Sequence, residues 1–249
     1  MIAAGLILLG LLGAWELYVV LGGLDPLILP APHAVASALW DDRGLLGNDL
    51  LVTGREIALG IVLAVALGVV CAALVHLHPV LRRALRPLLV ASQTMPIPVV
   101  APLLVAWLGF GIAPKLLVIG LICFFPVTVT TLDALESTDP DLLKLMRTLG
   151  ASRHQAFWRV EAPAALPAAI SGARIAVAVA VIAAVLAEQS AGSTAGLGHT
   201  LTSANGSLDS SLSWAAVVLL AVLAVLLFLA LGALERLALP WTRPSRSVP

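Results

Sequence analysis

Six stretches of predominantly apolar residues, each close to the length of a membrane span, dictate the solvent in which this chain folds. They run over about 2–22, 51–75, 87–108, 112–132, 168–189 and 213–235. Roughly 20 helical residues cross a bilayer's hydrocarbon core, and in lipid only a helix or a closed barrel satisfies its own backbone. With 60% hydrophobic and 11% charged side chains and a mean hydropathy of +1.05, a soluble core cannot hide so much apolar surface. The expected fold is therefore all-α: a polytopic membrane protein with about six transmembrane helices. It reads as one transmembrane domain over 1–249, with its core at about 51–235. Only Gly109-Phe110-Gly111 separates the third and fourth spans, which forces a tight turn and an antiparallel helix pair.

Charge fixes an expected orientation. With the N-terminus inside, Arg82, Arg83, Arg86, Lys144, Arg147, Arg153, Arg159, Arg174, Arg236, Arg243 and Arg246 fall on the cytoplasmic side, against Arg43, Arg55 and Lys115 outside. That asymmetry follows the positive-inside rule and predicts cytoplasmic N- and C-termini. Met1 to Val20 carries no basic n-region or cleavage site, so it reads as a retained span. The formal net charge is zero, which removes the broad basic field that nucleic-acid binding requires. Cys71 and Cys123 sit in apolar stretches without metal-ligand spacing and read as small buried hydrophobes. The six tryptophans lie at span ends or in loops, as interfacial anchors do. Two outer connections are expected, at about 23–49 with a short surface helix near His33 to Trp40, and at about 190–212, rich in Gly and Ser.

The sizeable cytoplasmic loop, about 133–167, has explicit helix signals. Thr138 or Asp139 can cap a helix with Pro140 at its first position and Asp141 in its first turn, and Gly150 suits a left-handed stop. The spacing predicts a helix over about 140–149. Ser152 with Gln155 three residues on is a capping-box pattern that starts a second helix, with Pro163 expected to end it. Leu142, Leu145, Met146 and Leu149 form an apolar ridge on the first helix, amid Lys144, Arg147, Arg153, His154 and Arg159. Two readings stay open here: the ridge packs on the protein's own helix ends, or it fits a groove in a soluble partner.

Read as spaced positions, the loop gives Lys144-Leu145-Met146, Gly150, Val160 and Pro163. This resembles the EAA motif of bacterial ABC-import permeases, in which EAA is followed after three residues by Gly, after nine more by Ile, and after one more by Leu-Pro. The spacing matches throughout, while Lys144 stands for Glu, Leu145 and Met146 for the alanines, Val160 for Ile and Ala162 for Leu. Further similarity lies in Leu-Pro-Ala-Pro at 29–32, in the segment 101–111, in Arg147-Thr148-Leu149-Gly150-Ala151-Ser152-Arg153, and in Pro163 to Pro167, and so extends from about Leu29 to Trp241. The chain looks like the nitrate, taurine, sulfonate and hydroxymethylpyrimidine branch; Pro87 to Pro96 and Phe124 to Thr128 look closest to permeases for the thiamine-precursor pyrimidine.

The resemblance implies a type I importer fold in the bacterial inner membrane. It further implies a homodimer of permeases, an ATPase bound at the cytoplasmic loops and an extracytoplasmic solute-binding protein. Asp141, Leu142, Lys144, Leu145, Met146, Arg147, Gly150, Ala151, Ser152, Val160 and Pro163 are the expected coupling residues. The lysines, Lys115 and Lys144, are not preceded by a phosphate loop, so no cofactor is expected on this chain and ATP with its Mg belongs to the partner. Ser92, Gln93, Thr94 and Pro96 combine polar side chains with a helix breaker and are expected either to line the translocation path or to form a structural kink satisfied by neighbouring helices. Glu188, at the outer end of the fifth span, is assigned with them; helix-interface packing, a vestibule lining and a direct ligand contact are all open for it. Arg55 and Glu56 are expected either to pair with other helices or to face the vestibule.

Three other classes compete with a transport pore of this kind. An intramembrane enzyme needs a metal-binding, nucleophile or paired-carboxylate motif, and none is present in the sequence. An ion-coupled secondary transporter would show inverted repeats or mid-membrane acids, and a structural membrane scaffold would not need the doubly capped loop. The solute is read as a pyrimidine rather than a sulfonate, taurine or nitrate, because the apolar path with Gln and Thr lacks a basic residue.

Overall fold

The computed structural model describes residues 2–92 and 97–239. Among the described residues the elements are all helical: α1 (Ile2–Gly22), α2 (Pro32–Asp41), α3 (Arg43–Leu77), α4 (Pro79–Ser92), α5 (Ile97–Leu108), α6 (Ile112–Glu136), α7 (Pro140–Thr148), α8 (Arg153–Ala156), a π-turn (Phe157–Glu161), α9 (Ala162–Ser190), α10 (Leu197–Gly206) and α11 (Ser210–Ala238). Among the described residues five helical runs are long and apolar enough to cross a membrane: α1, α3, α6, the continuous run Arg153–Ser190, and α11. A shorter apolar helix, Pro98–Leu108, stands at the place of the expected third span. The stretch expected at 87–108 is shared between α4, which begins at Pro79, and α5; residues 93–96 lie outside the described part.

The centre of the bundle is α3, α6 and α9, with α3 and α6 parallel and α9 antiparallel to both. Ile57, Ile61 and Ala64 from α3 meet Ile119, Cys123 and Val127 from α6 and Ala173, Ala176, Ala180 and Ala184 from α9. In lipid, helices gain little from apolar burial against each other, so close backbone approach through small residues drives their association. A Cβ at Gly60 would overlap the Ile119 side chain, and one at Gly172 would meet Thr130 and the Val127 backbone. The alanine-rich face of α9 serves the same end. α5 folds back on α6 after the glycine-flanked turn, packing Ala101 near Val118.

The long helices outside this centre show apolar surface to the surroundings, as at Leu17, Leu21, Val225 and Leu229. Trp15 of α1 stacks on Trp214 of α11 with ring centroids 5.3 Å apart, whereas Trp40, Trp107 and Trp158 are largely exposed. Trp241 lies outside the described residues.

Two expectations change. Pro163 does not end a helix: it is the second residue of α9, and the helix passes through it. The reason lies in the π-turn just before it, where Ala162 N–H donates to Phe157 O five residues back. Widening that turn eases the clash that a proline ring makes with the carbonyl four residues earlier, here Arg159. The second change is α10, a ten-residue helix inside the Gly- and Ser-rich outer connection.

Candidate functional site

At one end of the bundle, α7 and α8 form a knob. Asp139 Oδ1 accepts from Asp141 N–H at 2.8 Å, capping α7. Its far end closes in a Schellman motif: Gly150 N–H donates to Arg147 O and Ala151 N–H to Met146 O, each at 2.9 Å. Gly150 has φ +76°, where a Cβ is strained. The next helix opens with the expected capping box. Ser152 N–H donates to Gln155 Oε1 at 2.8 Å, and Gln155 N–H to Ser152 Oγ at 3.3 Å.

No residue of α7 is buried. Leu142 is 47% exposed, Leu145 54% and Leu149 73%, so the apolar ridge does not pack on the protein's own helix ends within this chain. Asp141 and Lys144 form an exposed ion pair at 2.8 Å; Met146, Ala151, Val160 and Pro163 are half-buried, and Arg147 and Ser152 exposed. Behind the knob the chain is tied into the bundle. Phe157 joins Ala72 and Val75 of α3, Leu132 and Leu135 of α6, and Ala165 of α9 in one buried cluster. Beside it, His76 Nε2 lies 3.2 Å from Glu161 Oε2, both side chains buried. The knob's base is thereby packed against three core helices.

At the opposite end lies a polar clamp. The first four N–H groups of a helix have no partner within it, and at α10 side chains of α3 and α9 accept all four. Gly196 N–H donates to Asp49 Oδ1 at 2.9 Å and Leu197 N–H to Thr53 Oγ1 at 2.8 Å. Gly198 and His199 N–H both donate to Glu188 Oε2, at 2.7 and 3.2 Å. The Thr53 hydroxyl donates to Glu188 Oε1 at 2.6 Å, and Thr200 to Asp49 Oδ2. Two carboxylates at the helix's positive end also match its dipole. Gly196, at φ +115°, sits so close that a Cβ would overlap the Glu188 carboxylate.

Glu188 is 1% exposed, its carboxylate held between Thr53 of α3 and the start of α10. Glu56 pairs with Lys115 at 2.7 Å across α3 and α6, both buried. Arg55 faces outward, without an ion pair among the described residues. Ser92 closes α4; Gln93, Thr94 and Pro96 lie outside the described residues. Asp49, Thr53, Thr200, His76 and Glu161 were not singled out from the sequence. For the first two a signal existed, because Asp49, Thr53 and Glu56 fall at i, i+4 and i+7, one helix face.

The model of the binding-protein-dependent transport system inner membrane component family matches residues 64–241. The chain belongs to that family. This permease is 36% identical over 239 residues to the formylaminopyrimidine transport permease protein ThiX of Halalkalibacterium halodurans, covering 96% of this chain and 95% of the relative. It is 37% identical over 234 residues to the riboflavin transport system permease protein RibX of Chloroflexus aurantiacus, covering 93% and 87%. In fold it is similar to a chain of the inward-facing MetNI methionine ABC transporter, with a TM-score of 0.59 at 17% identity over 84% of this permease and 97% of that chain. The permease is thus the multi-pass inner-membrane subunit of an ABC importer and not an enzyme. Its family implies an ATPase subunit and a solute-binding protein as partners.

Proposed function

We propose that this permease imports a thiamine-precursor pyrimidine, working as a homodimer whose two knobs sit in the grooves of a cytoplasmic ATPase dimer. The observation that carries the coupling half is the bare apolar ridge Leu142-Leu145-Leu149 on a helix with no buried residue. An amphipathic helix with i, i+3 and i+7 anchors and a basic surround is built for a groove. The coupling set is Asp141, Leu142, Lys144, Leu145, Met146, Arg147, Gly150, Ala151, Ser152, Val160 and Pro163. ATP and Mg stay on the partner subunit. Closure of that dimer on ATP shifts the knobs, and the Phe157 and His76–Glu161 attachments pass the shift to α3, α6 and α9 as a rigid-body switch.

Orientation follows from the knob: a cytoplasmic ATPase puts α7 inside, and both termini with it. The polar clamp then faces the side from which the binding protein delivers solute. Ser92, Gln93, Thr94 and Pro96 are proposed to line the path, with Glu188 shaping its outer end by holding α10 rather than by touching solute.

The pyrimidine reading is supported by ThiX, whose name specifies a formylated aminopyrimidine, and by the Pro87 to Pro96 and Phe124 to Thr128 segments. RibX, equally similar, is named for riboflavin, another nitrogen heterocycle. Sulfonates, taurine and nitrate are the competing solutes. Uptake by proteoliposomes holding the permease, its ATPase and its binding protein decides: ATP-dependent accumulation of an aminopyrimidine, and not of taurine or nitrate, is expected. Accumulation of taurine or nitrate alone would overturn the reading.

A further inference from the structure

At the knob end, an open cavity of about 820 Å³ lies between the end of α3, the first half of α4 and the start of α8. Four arginines line it: Arg82, Arg83 and Arg86 from α4, and Arg153, the first residue of α8. Carboxylates account for two of them. Arg82 Nε is 2.8 Å from Glu136 Oε1 and Arg86 Nη1 is 3.0 Å from Glu136 Oε2, with Asp133 no nearer to Arg86 than 3.9 Å. Of the other acids at this end, Glu161 lies beside His76, Asp139 caps α7 and Asp141 pairs with Lys144. Arg83 and Arg153 have no ion-pair partner among the described residues.

His76, Leu77, Pro79 and Pro87 complete the lining, three of the four apolar, and elsewhere on α4 Val80 is 80% and Leu88 61% exposed. Guanidinium groups converging from two helices match the oxygens of a phosphate, which they bind through paired N–H donors. Adjoining apolar surface matches the glycerol backbone and acyl chains of a phospholipid, and basic pockets on the cytoplasmic side of membrane helices attract anionic headgroups.

We propose that this cavity binds a phosphate-bearing anion between α4 and the knob, with the headgroup of an anionic phospholipid as its source. Only the choice of the cytoplasmic leaflet rests on the orientation proposed above. Because Arg153 comes directly after the Ser152 cap, the occupant braces the knob's second helix against α4. Binding therefore sets how firmly the knob is held.

The test is native mass spectrometry of the full-length permease in detergent, without ATPase, titrated with phosphatidylglycerol or phosphatidylcholine, with and without millimolar inorganic phosphate. The wild type is expected to retain phosphatidylglycerol in preference to phosphatidylcholine. Losing two charge-assisted contacts in Arg83→Gln/Arg153→Gln weakens that retention by about tenfold or more. Glu136→Gln, which frees Arg82 and Arg86, strengthens it; this gain cannot arise from misfolding. Displacement by inorganic phosphate keeps the site and makes a small anion its source. Equal retention of both lipids by all three proteins, with no phosphate effect, overturns the proposal. So does a double variant that retains phosphatidylglycerol but loses its ATPase, since the arginines then serve subunit docking. Lipid retention is read without the ATPase, so failure of the coupling reading leaves this result untouched.

Discussion

His76 Nε2 lies 3.2 Å from Glu161 Oε2, and both residues are almost wholly buried, at 9% and 2% exposure. One belongs to the last turn of α3 and the other to the π-turn that joins the knob to α9. The contact is within ion-pair reach but outside hydrogen-bond geometry for either ring nitrogen of His76. It is the closest polar approach between the end of α3 and the π-turn among the described residues, and we take it as their joint.

For that joint we predict that His76→Ala and Glu161→Gln leave the ATPase bound but lower solute transported per ATP. A double-mutant cycle should give an interaction of about 0.5–3 kcal/mol. Additive effects, or unchanged stoichiometry of transport, would remove His76–Glu161 from the transmission route.

Gly150→Ala places a Cβ at φ +76°, where open space surrounds it. The cost is backbone strain alone, about 1–2 kcal/mol, and it falls on the knob. Thermal unfolding of the bundle in detergent should hardly change, while ATPase affinity falls. A large drop in Tm with intact docking would contradict this.

Gly196→Ala combines strain at φ +115° with overlap on the Glu188 carboxylate. It should lower Tm more than Gly150→Ala does. Glu188→Gln keeps the shape but weakens two backbone contacts by removing the acceptor charge, with an expected loss of about 1–3 kcal/mol. A Glu188→Gln variant as stable as wild type would show that the clamp holds nothing.

Lys115→Met leaves Glu56 buried without its counter-charge, and breaking such a pair costs about 3–5 kcal/mol. Replacing both, as Lys115→Met/Glu56→Leu, should recover most of that loss. The comparison of single and double variants by thermal unfolding checks it.

The knob was legible in the sequence because its determinants are local. Asp139, Pro140, Gly150, Ser152 and Gln155 each act within five residues, and the structure bears out every one of these caps and turns. Five of the six expected spans were legible for a similar reason, since hydropathy needs no partner, whereas the third is divided between α4 and the 12-residue α5. What escaped was whatever depends on a distant helix. The partners of Glu188 lie 135 residues away at Thr53 and ten away at Gly198, and apolar periodicity carries no trace of them. Pro163 misled because a proline limits a helix on either side, and the π-turn that decides between the sides leaves no simple mark in Phe157-Trp158-Arg159-Val160-Glu161. The polar stretch Ser92 to Pro96 keeps its proposed role on sequence grounds alone.

The ridge on α7 is proposed to seat in the ATPase, and the most direct measurement of that is co-purification of the ATPase with a Leu145→Glu/Leu149→Glu permease. Both side chains are exposed in this chain, so the permease should fold and melt as wild type. The predicted result is a folded permease that has lost its ATPase and all ATP-driven uptake. A variant that keeps the ATPase bound at wild-type affinity and still transports would contradict the claim.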